Sequence, residues 1–244
     1  MNSVERSLLT FGCIIAGIVL GSLLPGDRLK SDTKEAIRLG TGLIGTIAAL
    51  VLGLLIASAK SSFDTQTSQI RQITANIMLL DVFLKEYGPE SADARRALRN
   101  QTTLLVDHVW NKNRSTDPRF EVSPEGLALY EQTQGLKPAT DGQRFLQTRA
   151  LQLISDTAQT RVLMFTQGQN PIPLPFLAML VFWLTILFAS FSMFARPGPV
   201  MIGALGVFAL SATGAIYLIL ELGRPFTGLL MIPSEPLAHA LPPL

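Results

Sequence analysis

Few side chains in this chain could carry covalent chemistry. It has one cysteine, Cys13, and two histidines, His108 and His239. A lone cysteine excludes an internal disulfide and any cysteine-based metal cluster. Asp107 and His108 place an acid beside a base in sequence, but adjacent residues of a helix do not face each other, so they read as surface residues. Cys13 lies in an apolar stretch and reads as a small packing residue. No nucleophile elbow, phosphate-binding glycine loop or paired metal-ligand spacing occurs. No catalytic residue, metal site or cofactor follows, and an enzyme is not expected.

A different kind of pattern runs through residues 41–57. Thr41, Gly45, Ala49, Gly53 and Ala57 recur every four residues, with Gly42 and Thr46 widening the same face. Small residues at this spacing let a second helix approach closely. Leu43, Ile47, Leu50 and Leu54 fall on roughly the opposite face. One reading is a packing groove. The other is a ring of identical helices, in which the small face meets neighbours and the bulky face narrows a pore. An apolar ring can gate ions by dewetting. Lys60 and Asp64 would then stand at the pore mouth. Glu221 and Arg224, three apart near the end of another apolar stretch, read as an interfacial ion pair.

The elements that position these residues follow from composition. Charged residues are 16% of the 244, against about 25% in an ordinary soluble domain. Mean hydropathy is +0.35. Residues 60–170 hold 25 of the 38 charges. A net charge of +2 without a basic cluster argues against a nucleic-acid-binding chain. The charge-free windows are 7–26, 39–59, 162–195 and 197–220. Each can supply one bilayer span of about 20 residues. The third window opens on a polar, proline-rich run, so its span is placed from near Pro173 to near Ala195, with a tight turn at 196–199. The first window has only Arg6 before it and a poor cleavage site after it, so it reads as a retained anchor and not a signal peptide.

The expected fold is thus an all-α integral membrane protein of four transmembrane helices in two hairpins (1–59 and 171–223). A helical-bundle insert covers 60–170, and an interfacial tail covers 224–244. Four spans put both termini and the insert on one side. Near-membrane basic residues do not say which side: Arg6, Lys60, Arg71, Arg161 and Arg224 on one balance Arg28, Lys30, Lys34, Arg38 and Arg196 on the other. Within the insert, Phe63, Ile70, Ile73, Ile77, Leu80 and Leu84 predict a long helix continuing out of the second span, stopped by Gly88-Pro89. Ser91 is the expected N-cap of a helix over 92–111, striped by Ala94, Leu98, Leu105 and Val109. A short helix is expected near 124–133. A long one is expected over 142–167, striped by Leu151, Ile154, Ala158, Val162 and Phe165.

Two further segments carry a resemblance. Leu218-Ile219-Leu220-Glu221-Leu222-Gly223-Arg224-Pro225-Phe226-Thr227-Gly228-Leu229-Leu230 resembles the LILELDRPFxGLI signature of the bestrophin-like membrane family of unknown function. Ser234-Glu235-Pro236-Leu237-Ala238-His239-Ala240-Leu241 is similar to its SxPLxxAL ending, and Tyr87-Gly88-Pro89-Glu90-Ser91 with Ala94-Arg95 to its YGPExxxAR. This chain has Gly223 where the family has Asp, so an acid partner for Arg224 falls to Glu221. The relation to bestrophins, which are pentameric anion channels, implies a homo-oligomeric ion channel of a bacterial-type inner membrane. It implies a cytosolic insert and termini, with the lipid bilayer and a permeant ion as partners, the bestrophin relation pointing to an anion without fixing the selectivity. The alternative is a non-conducting membrane scaffold or sensor whose insert binds a ligand or partner.

Overall fold

A computed structural model of the protein describes residues 3–23, 30–110, 124–168, 174–194 and 198–241. Among the described residues, regular structure is entirely helical: α1 (Ser3–Leu23), α2 (Ser31–Tyr87), α3 (Ala92–Trp110), α4 (Pro124–Gln134), α5 (Asp141–Gly168), α6 (Leu174–Phe194), α7 (Pro199–Leu222) and the single turn α8 (Glu235–Ala238). Four of these, α1, α2, α6 and α7, are long and apolar enough to cross a membrane. The chain divides into two compact units, 1–63 with 170–223, and 64–169 with 224–244. Of the 111–142 stretch, expected to be loop apart from the short helix, residues 111–123 lie outside the described residues, as do 196 and 197 of the expected turn.

In the first unit α1 packs on α6 and α7. Its inward face is Ser3, Ser7, Thr10, Ile14, Gly17 and Gly21. A small residue at nearly every inward position lets the helix axes come close. A Cβ built on Gly17 would lie 2.7 Å from the Thr185 carbonyl oxygen, and one on Gly21 would overlap the Ala189 carbonyl. The inward hydroxyls are satisfied within the helix: Ser7 donates to the Ser3 carbonyl at 2.8 Å and Thr10 to that of Arg6 at 3.0 Å. The helix therefore starts at Ser3, ahead of the window at 7–26. Ile14 then meets Phe188, Leu205 and Ala209. On α2, Ala48, Leu55 and Ala59 pack with Leu177, Leu180 and Leu187 of α6 and with Ile216, Ile219 and Leu220 of α7. Large apolar side chains stay outside on every span: Leu8 is 64% exposed, Leu50 70% and Val200 85%. Apolar exposure on this scale calls for lipid or another protein surface.

The second unit begins with the polar half of α2. Ile70, Ile73, Ile77, Leu80 and Leu84 are all buried, as their near-heptad spacing predicts. Gly88 ends the helix at φ 122°, a conformation that favours glycine. Ser91 departs from its expected role. Its hydroxyl points back at the carbonyls of Leu84 and Gly88, closing the turn instead of capping α3. Asp81, 4% exposed, takes the Arg95 guanidinium at 3.0 and 3.3 Å, with Arg99 4.0 Å away. The Gln147 amide nitrogen lies 2.9–3.1 Å from the carbonyls of Thr133, Gln134 and Leu136, and so closes the end of α4. Residues 224–241, read from sequence as an interfacial tail, are packed into this unit. The Trp110 indole donates to the Ile232 carbonyl at 2.8 Å and meets Phe226 edge-on. Leu237 and Ala240 enter the core formed by α2, α3, α4 and α5.

Two substitutions test this packing. Gly21→Val should lower the apparent Tm through overpacking of about 1–3 kcal/mol, while Gly12→Val, with nothing within 4 Å of its Cβ, should leave it unchanged. Asp81→Ala strands two arginines near a buried position and should cost about 3–5 kcal/mol, seen as faster limited proteolysis of the second unit.

Candidate functional site

The apolar half of α2 has three faces. Thr41, Ala48, Leu55 and Ala59 are buried against the helix's own subunit, with Ile44, Val51 and Leu52 partly covered beside them. At about 100° per residue, Leu43, Ile47, Leu50 and Leu54 point roughly the other way. They are 64%, 39%, 70% and 65% exposed. Between these faces lie Ala49, Gly53 and Ala57, all exposed. Of the four-residue stripe seen in the sequence, then, Thr41 is buried and Gly45 lies 3.6 Å from the Leu187 side chain, while the remainder turns gradually away. A four-residue repeat on a 3.6-residue helix drifts about 40° per step, which produces this rotation. Gly42 and Gly53 have nothing within 4 Å of a built Cβ.

The ends of this stretch are marked by cations on aromatic rings. The Arg38 guanidinium lies 5.7 Å from the Phe194 ring centroid, and the Lys60 ammonium 5.9 Å from that of Phe63. From residue 38 to 60 a helix rises about 33 Å, close to the bilayer core of about 30 Å. Lys60 and Asp64 are both exposed, just past the apolar run. Glu221 is 2% exposed and accepts the Ser3 hydroxyl at 2.9 Å, so its carboxylate is held inside the first unit. Arg224 is half-buried and opens a turn that Thr227 closes by donating to its carbonyl at 3.1 Å.

The residues set aside on sequence grounds are peripheral. Cys13 is a free, exposed thiol. Asp107, His108 and His239 are exposed, and the His239 ring nitrogen Nδ1 sits 3.0 Å from the Glu235 carbonyl. Among the described residues, no group of three or more His, Cys, Asp or Glu side chains could hold a metal ion.

Two features escaped the sequence reading. One is the small inward face of α1, whose signal (Ser3, Ser7, Thr10, Gly17, Gly21) was present at helical spacing. The other is a groove of about 360 Å³ in the second unit, lined from α2, α3, α4 and α5. It left no local signal, because its walls come from four separated segments.

A family model described as Bestrophin-like domain matches residues 8–237. None of the curated proteins and none of the solved structures compared with the chain matches it.

The open space at Gly53 gives a clean test of the flanking face. Gly53→Leu should leave the protomer folded, because nothing in its own subunit opposes the side chain. It should also shift assembly toward smaller species in native mass spectrometry. Unchanged assembly would mean that this flank touches no other copy.

Proposed function

Since the chain belongs to the bestrophin-like domain family, we propose that this membrane protein is a homo-oligomeric ion channel, with five copies around an axis and α2 lining the path. In this reading α1 with the first half of α2, and α6 with α7, form two transmembrane hairpins of a multi-pass inner-membrane protein. Residues 64–169 then form a cytosolic helical body. The observation that carries the reading is the arrangement of faces on α2. The face turned away from its own subunit is bulky, apolar and exposed over three turns. Its flank is small. In a ring, the outward-turned face of each innermost helix meets the axis, and the small flank lets neighbours close in.

Leu43, Ile47, Leu50 and Leu54 then form stacked apolar rings. The barrier is the cost of stripping water from an ion, and needs no fixed charge. Charge enters only where α2 leaves the apolar layer, at Lys60 and Asp64, which bias the ion selected. Glu221 and Arg224 act at the end of α7, where a charge on the carboxylate bears on its last turn.

Purified protein in liposomes should pass ions down a gradient, an anion first by the family relation. Ile47→Ala or Leu50→Ala should widen and wet the ring and raise flux several-fold in a still-assembled oligomer. Assembled Ile47→Ala protein that passes no ion under any gradient would remove α2 from the path and favour a sealed scaffold. Orientation has its own measurement. With Cys13 replaced, a cysteine at exposed Asn100 should resist membrane-impermeant thiol reagents in intact cells and react after permeabilisation.

A further inference from the structure

The groove of the second unit is walled by Ile77, Leu80, Leu98, Leu105, Ile154 and Val162, with Tyr130 at its side. Its volume, about 360 Å³, lies toward the small end of the range for ligand pockets. Among all its lining residues Arg161 is the one with a formal charge. No carboxylate lines the groove, and Arg161 makes no ion pair or hydrogen bond among the described residues. The unit can supply such partners, since Arg95 and Arg96 each have one. Burial without a neighbouring acid holds the Arg161 guanidinium below its ordinary pKa. A half-buried guanidinium that has lost water and gained no counter-charge is complementary to an anion brought by something else.

The walls say what else that molecule must carry. Eight of the seventeen lining residues are leucine, isoleucine or valine, which favour a flexible hydrocarbon over a flat polar ring. A single arginine fork suits a carboxylate, which it can hold bidentately. Ser155, Thr157 and Gln159 line the same groove from α5 and add neutral hydrogen-bonding groups beside the head.

We propose that this groove binds a single-chain aliphatic carboxylate of the fatty-acid class, with its chain along Ile77, Leu98 and Ile154 and its carboxylate on Arg161. The site is independent of the channel reading and would equally serve a scaffold.

The test uses the full-length protein in lipid nanodiscs and a diazirine-bearing dodecanoic acid as photoprobe. Label should map to peptides containing Leu98–Leu105 and Ile154–Val162. Unlabelled dodecanoate should compete and dodecanol should not. Arg161→Gln should reduce groove labelling by about tenfold, the scale of one lost charge-assisted contact, and Arg161→Lys should restore part of it. Ala158→Phe, placed at an exposed wall position, should block labelling without touching the charge, with circular dichroism reporting the fold. Equal labelling in Arg161→Gln, equal competition by dodecanol, or label confined to the four membrane helices would each overturn the proposal. So would groove peptides left unlabelled while Arg161→Gln changes the oligomeric state, since the groove would then be a contact between copies.

Discussion

One helix that changes solvent part-way along its length governs the architecture. α2 runs unbroken for 57 residues. From Leu39 to Ala59 it is free of charge and apolar almost all round, and beyond Lys60 its buried stripe is apolar and the rest is largely polar. In lipid the backbone must satisfy its own hydrogen bonds, so a helix is the natural form for the first half. In water the second half is helical only if its stripe is covered, since an isolated helix gains little from propensity alone. α3, α4 and α5 supply that cover through Leu98, Leu105, Leu129, Ala150 and Ile154. On the proposed reading, the two compact units are the two answers to one helix in two solvents.

The different solvents also explain the different cores. On the inward face of α1 close approach largely takes the place of large side chains, because lipid tails are as apolar as leucine. Hence α1 turns serine, threonine and glycine inward and leaves Leu8, Leu20 and Leu23 outside. In the second unit the order is the familiar one, with isoleucine and leucine inside. Two of the exceptions are polar groups held by partners. Asp81 is neutralised by Arg95, and the Ser91 hydroxyl is spent on two carbonyls at the end of α2.

Much of this was legible before any coordinates, for physical reasons that also mark where legibility stopped. Charge-free windows gave four spans because a charge in hydrocarbon is costly at any rotation. The stripe from Ile70 to Leu84 gave the amphipathic half of α2, because water imposes a period on it. Lipid imposes no such period on residues 39–59, so nothing in the sequence said that Thr41, Ala48, Leu55 and Ala59 are the face turned to the subunit's own core. The glycines on α1 were visible, but their meaning depends on Thr185 and Ala189, far along the chain. Arg161 looked like a near-membrane basic residue. Only the convergence of four helices makes it the lone charge in an apolar groove.

The segments that carry the family resemblance sit at the joints of this arrangement. Tyr87-Gly88-Pro89 ends α2, and the Ser91 hydroxyl seals that end. Arg95 neutralises Asp81, nearly two turns earlier on α2's buried side. Glu221 holds the start of α1 through Ser3. Phe226 and Leu237 bind the chain after α7 to the end of α3 and to the second unit's core. These residues set where α2 stops and how the chain after α7 joins the second unit. None of them lies on the outward face of α2 or in the groove. A signature of this kind therefore identifies the scaffold. The conduction path proposed on α2 and the ligand site proposed at Arg161 rest on residues outside it, so on these proposals chains sharing the signature can differ in both.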